Sequence, residues 1–151
     1  MRKRGAKVTK VIKSKILTKA EVQRQTLPLH VALTLLPLGL FTRDHANKVA
    51  FICNVVMEDA RGRNEVSHQA AQLAGETLYS MLRRVEQGKS WNVTQVERDT
   101  LMSSIVMMDT HIRLMTRHRW LQAALVVREV NAMAREAGYT FLDQVTVMEE
   151  E

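Results

Sequence analysis

The chain has 151 residues, of which 46% are hydrophobic, 25% charged and 5% aromatic. One hydrophobic core suffices at this length, and a lone Cys53 excludes both an intramolecular disulfide and a multi-thiolate zinc centre. The formal net charge of +6 is unevenly placed: residues 1–24 carry +8 and the remainder −2, which describes a basic arm on a nearly neutral body rather than a uniformly basic domain.

In that arm, Val8, Val11, Ile12 and Ile16 fall at helical spacing with lysines between them. A basic amphipathic segment of this kind can lie on an anionic membrane, dock on an acidic partner, or follow phosphates and fold as it binds. The bland alternative is a solubilising tail. Thr18 and Glu21 stand at capping-box spacing, which predicts a helical turn or two over 19–25.

The stretch LPLHVALTLLPLGLF, residues 27–41, invites a membrane or targeting assignment after so basic a leader. It is shorter than the roughly 20 apolar residues of a spanning helix and is interrupted by Pro28, His30 and Pro37. As a signal peptide its leader is too long, and no small-residue cleavage site follows. The pattern instead predicts a short buried helix, capped at Thr26 or Leu27 with Pro28 in its first turn and stopped by LPLGL at 36–40.

From residue 42 the helical periodicity strengthens. Val49, Ile52, Cys53, Val56 and Ala60 mark one face of a helix over 44–61, with Gly62 beyond its end. Asn64 is placed to cap the next helix, whose face carries Ala71, Ala74, Leu78, Met81, Leu82 and Val85 and whose end is marked by Arg83, Arg84 and Gly88. The short linker predicts antiparallel packing of the two.

Thr94 and Glu97 repeat the capping-box spacing ahead of Leu101, Ile105, Met108, Ile112 and Met115. That stripe would continue onto Arg119 and Gln122, but a new one starts through Trp120, Ala123, Val127, Val130, Ala134 and Ala137. The jump predicts two helices, 94–115 and 117–137, with Thr116 as a cap and Gly138 as the terminator. YTFLDQVTV then reads as an extended or loosely docked tail before the acidic MEEE. No strand-like alternation and no solenoid-length repeat is visible.

The expected fold is therefore all-α: an antiparallel bundle of about four main helices with a short N-terminal helix and a basic arm. Its divisions are a flexible arm at 1–24, a helical domain at 25–140 and an acidic tail at 141–151.

The chemical constellations are sparse. Glu65-x-x-His68 resembles half of a di-iron carboxylate motif, but such a site needs two of these and two further Glu. A carboxylate answering the helix dipole explains Glu65 without a metal. Asp109 and His111, two apart on a helix, diverge by roughly 200° and cannot chelate one ion. His30, His45, His68, His111 and His118 show no metal spacing, and Cys53 sits on a core stripe, where a thiol is inert. The phosphate-loop, dinucleotide, nucleophile-elbow and H-E-x-x-H signatures are absent. No catalytic residue, metal or cofactor is assigned, and a non-enzyme is expected; a metal-dependent bundle enzyme is the remote alternative.

Two surface features remain. In RLMTRHRW, Arg113, Arg117, His118 and Arg119 crowd beside Trp120, a combination suited to phosphate contact, base stacking or a protein hot spot. Met102 and Met107 fall toward the edges of their helix face and, with Trp120, form the expected partner surface.

These features predict a small cytoplasmic binding protein. Arg4, Lys7, Lys10, Lys13, Lys15 and Lys19 would neutralise phosphates of a nucleic acid, Arg117 and Arg119 would form a second patch, and the bundle would bind a protein partner or itself. The rival expectation is a pure protein-interaction or inhibitory bundle without a nucleic-acid role.

Overall fold

The computed structural model describes residues 15–138, which fold into five helices. They are α1 (Lys19–Leu35), α2 (Arg43–Ala60), α3 (Glu65–Glu86), α4 (Gln95–Arg113) and α5 (Arg117–Glu136). Among the described residues there is no strand beyond an isolated antiparallel bridge between Ile16 and Thr116, and no helix long and apolar enough to cross a membrane.

Every helix opens on a side chain that satisfies an otherwise orphaned backbone N–H. The Thr18–Glu21 and Thr94–Glu97 capping boxes close in both directions, as their spacing predicts. Asn64 and Thr116 cap α3 and α5 through Ser67 and Arg119. At α2 the reciprocal partner is a histidine: the Thr42 N–H donates to Nδ1 of His45 at 3.0 Å. The predicted break between α4 and α5 is present, and Met115 inside it is fully buried.

Residues 19–41 depart from expectation. Instead of a turn at 19–25 followed by a short helix at 27–41, α1 runs unbroken from Lys19 to Leu35 with Pro28 inside it. Pro28 cannot donate to the Arg24 carbonyl, a defect of about 3 kcal/mol in a helix interior. Val22, Leu29 and Ala32 are buried on the same helix, and a side chain of Val or Leu size contributes about 1.5–3 kcal/mol on full burial, so packing outweighs the proline. Thr26 is no cap; it lies buried in mid-helix with its hydroxyl donating to the Val22 carbonyl at 2.7 Å. The LPLGL stop is real, with Gly39 at φ 69° in the left-handed region that glycine tolerates.

The flexible-arm boundary at residue 24 also moves. Leu17 and Val22 are both 5% exposed, and the Leu17 N–H donates to the Met115 carbonyl at 3.2 Å. Residues 15–24 are therefore part of the folded body. Residues 1–14 and 139–151, which hold most of the expected arm and tail, lie outside the described residues.

The core is organised around α2, which touches each of the other four helices. Its sequence dictates this: Val49, Ala50, Ile52, Cys53, Val55, Val56 and Met57 are all buried, and a helix apolar nearly all round must be surrounded. The helix pairs α2–α3 and α3–α4 pack as neighbours joined by short loops, while α1 lies on α2 and α4. The last helix, α5, packs along α2 and does not pack on α1.

Removing residues 1–24 should cost about 3–6 kcal/mol more stability than removing residues 1–14, because only the longer deletion takes out Leu17 and Val22. Chemical denaturation of the two truncated proteins measures the difference; equal midpoints would return residues 15–24 to the arm.

Candidate functional site

The basic features that the sequence separates by about a hundred positions meet at one corner. The α4–α5 elbow turns at Leu114–Thr116, where the Thr116 hydroxyl accepts from the Arg119 N–H at 3.2 Å. The root of the arm is stitched to that elbow, since the Arg117 N–H donates to the Lys15 carbonyl at 2.9 Å. Lys15 and Lys19 are exposed there. Arg4, Lys7, Lys10 and Lys13 lie outside the described residues.

The arginines of the elbow are each matched by a carboxylate. Arg117 is half-exposed and forks Glu21 of α1 at 2.9 and 2.7 Å, which holds the Glu21 carboxyl down at about 2, helped by the Thr18 cap. Arg113 donates to Asp109 at 2.9 Å, and Asp109 also meets Nε2 of His30 at 3.0 Å. Burial raises the Asp109 carboxyl, but these partners prevail and leave it below its ordinary value.

Arg119 differs from expectation. Its guanidinium does not face solvent as a phosphate contact but turns inward and forks Asp59, with Nε to Oδ1 at 2.9 Å and Nη2 to Oδ2. The other side of the same carboxylate is held by His111, whose Nε2 lies 2.7 Å from Oδ2. The Asp59 and His111 side chains are only 3% and 4% exposed, so this is a buried ionic junction joining α2, α4 and α5. Burial would raise the Asp59 carboxyl, yet the hydrogen bonds and charges of His111 and Arg119 bring it to about 2. A carboxylate so saturated and enclosed is poorly placed to act as base or nucleophile; it holds the elbow.

Beside the junction, α2 and α5 enclose an open cavity of about 410 Å³. Leu125 and Val126 supply an apolar wall, while Arg61, Arg63 and Gln122 supply polar groups; Arg61 stands 3.9 Å from Glu58.

The expected partner residues do not form one surface. Met107 is 38% exposed on α4, Met102 is half-buried against the core, and Trp120 is only 5% exposed. Trp120 is thus a core residue and not an exposed anchor, because the α5 stripe that begins with it is the face pressed on α2. Among the described residues no group of three His, Cys, Asp or Glu is arranged to hold a metal ion. Glu65 is an exposed first-turn residue that accepts from Gln69. Cys53 is buried, and desolvation pushes its thiol up to about 12.

Asp59 is the residue that sequence reasoning missed, although a signal existed. It follows Ile52 and Val56 on the buried stripe of α2, and a carboxylate on such a stripe requires a partner. Which partner it finds depends on two other helices. No protein-family model, no characterised protein and no solved structure matches this chain, so the residues themselves carry the functional argument.

Substituting Asp59→Asn should destabilise the fold by about 3–5 kcal/mol, because it leaves the Arg119 charge partly buried without a counter-charge. The Asp59 carboxyl is depressed in the folded state, so its stabilisation is present above the unfolded value near 4 and is lost as pH falls from about 4 towards 2. Denaturation midpoints between pH 2 and 6 should show that loss in the parent and a smaller one in Asp59→Asn; parallel curves would remove Asp59 as its source.

Proposed function

We propose that the protein is a cytoplasmic, non-enzymatic helical binding protein, an antiparallel bundle whose basic N-terminal arm contacts nucleic acid while the body engages a protein partner or a second copy. The observation that carries this reading is the clustering of cations in the first 14 residues beside a body in which four arginines are paired with carboxylates. In the body, Arg84, Arg113, Arg117 and Arg119 are matched to Glu97, Asp109, Glu21 and Asp59. Residues 1–14 instead hold Arg2, Lys3, Arg4, Lys7, Lys10 and Lys13 with no acidic residue among them. Cations clustered in one short stretch of sequence suit phosphate contact through counterion release and carry no sequence information by themselves.

Lys19 is exposed where that segment joins the body, whereas Arg117 and Arg119 belong to internal ion pairs and contribute little. The buried Cys53 thiol accords with a reducing compartment. A pure protein-interaction role is the second reading, supported by Leu121, Leu125 and Met133, which are 57%, 56% and 65% exposed on α5.

Binding of the full chain and of a chain starting at residue 15 should be compared by fluorescence anisotropy on duplex DNA and single-stranded RNA from 50 to 200 mM salt. For duplex DNA, the full chain should show a steep linear fall of log K with log salt, and loss of the six cations should flatten the slope by about 5 if each makes one phosphate contact. Equal binding by the two, or none by either at the lowest salt, would leave the protein-interaction reading in its place. Retention by anionic vesicles with no affinity for DNA or RNA would make the arm a membrane contact.

A further inference from the structure

α1 and α5 meet through the ion pair of Glu21 with Arg117, and one helical turn beyond that pair on each helix a recess opens over α2. Arg24 and Pro28 stand on its α1 side, Trp120 closes it from α5, and Phe51 and Ile52 of α2 form its apolar floor. Its volume is about 360 Å³, and through Pro28 and Lys48 it continues into a smaller recess of about 150 Å³ walled by Leu27, Val31 and His45. From His45 to Ile52 the two follow α2 for about 10 Å, at 1.5 Å per residue. That length accommodates two anchor side chains, one helical turn or two extended positions apart.

The edge of this groove carries one sign of charge. Arg24 and Lys48 are exposed along it, and the Arg128 guanidinium lies 5.9 Å from the centre of the Phe51 ring. No Asp or Glu lines either recess, and neither Arg24 nor Lys48 forms an ion pair with a described residue. Arg84, Arg113, Arg117 and Arg119, by contrast, each have a carboxylate. Cations without carboxylates around an apolar floor create a positive potential that attracts an acidic ligand and disfavours a basic one.

The walls favour a peptide over other anionic ligands. The side-chain amides of Gln25 and Asn47 stand half-buried there, and each offers donors and an acceptor to a bound backbone. Base stacking is disfavoured, because Trp120 is only 5% exposed and the half-buried Phe51 ring lies beneath Arg128. A membrane surface needs a projecting apolar face, and this one is recessed.

We propose that the groove between α1, α2 and α5 binds an acidic peptide segment of a protein partner. One apolar anchor sits over Phe51 and Ile52, a second against Leu27 and Val31, and the carboxylates of the segment meet Arg24 and Lys48. The proposal rests on the reading in which the body engages a protein partner and is independent of what the N-terminal arm binds.

Fluorescence anisotropy on the full chain tests it with two labelled peptides of about twelve residues. One is rich in aspartate and glutamate with a phenylalanine and a leucine one helical turn apart; the other has serine at both apolar positions. At physiological salt the anchored peptide should bind at least about tenfold more tightly than its serine counterpart, from burial of the anchors. The basic arm attracts any acidic peptide, so every protein variant keeps it intact. Arg24→Glu with Lys48→Glu should weaken the anchored peptide about tenfold by turning two attractions into repulsions. Arg63→Glu with Lys89→Glu, at exposed positions outside the groove and with the same change in net charge, should leave its affinity within about twofold. Unchanged thermal melting by circular dichroism shows that both variants fold.

Anchor-dependent binding that is indifferent to Arg24→Glu and Lys48→Glu, or equally weakened by both double variants, would overturn the groove while keeping a partner surface elsewhere on the body. Equal binding of the two peptides, or binding of neither, would overturn the groove and count against the partner reading as well. Single-stranded RNA weakened by the groove variant but not by the control would give the groove to nucleic acid and overturn the proposal.

Discussion

A single carboxylate, Asp59, sits where three helices converge, and the geometry of the second half of the chain depends on how its charge is satisfied. Taking an ion out of water costs several kcal/mol even after relaxation, so the site is tolerable only because both oxygens are engaged. His111 reaches it from α4 and Arg119 from α5, which links the end of one helix to the beginning of the next. The elbow at Leu114–Thr116 is thereby held at an angle that sets the Trp120 stripe of α5 against α2. Arg119 is paired with Asp59 and partly buried by the same contact, which is why the cluster RLMTRHRW offers solvent less positive charge than its composition implies.

Around this junction the fold follows from the unequal hydrophobicity of its helices. α2 is buried on nearly every side and becomes the axis on which the others lie, whereas α5 buries one face and leaves Leu121, Leu125 and Met133 in solvent. The same logic explains Pro28. A helix is normally ended by such a residue, but here the apolar face on both sides of it packs on α2 and α4, and burial exceeds the cost of the lost hydrogen bond. α1 and α5 share α2 as a partner and meet each other through the Glu21–Arg117 ion pair, and a recess lined by Pro28, Phe51, Ile52 and Trp120 lies between them.

Charge is distributed by a different rule. Within the body, Arg84, Arg113, Arg117 and Arg119 find carboxylates on neighbouring helices or on the same one, and the exposed pairs among them contribute little stability while cancelling the local field. The strongly cationic segment before Lys15 has no acidic residues of its own with which to do this. Charge is therefore densest at the two ends of the sequence, +6 over residues 1–14 and −4 over residues 139–151, with a net +4 spread over the much longer body between.

The sequence by itself determined most of the helices, though not the extent of α1, because caps and periodic stripes act over three or four residues and need no distant partner. Thr18, Asn64, Thr94 and Thr116 mark four of the five starts, and the jump from the Met115 stripe to the Trp120 stripe reveals the elbow. The tertiary structure decided what each charge and each exception meant. It turned Arg119 inward to Asp59, drew Lys15 and Leu17 onto the elbow and carried α1 through Pro28, in each case through a contact between residues far apart in sequence. A local pattern can show that a side chain is apolar, charged or capping, but the partner that fixes its energy comes from another helix, and its identity depends on how all five pack.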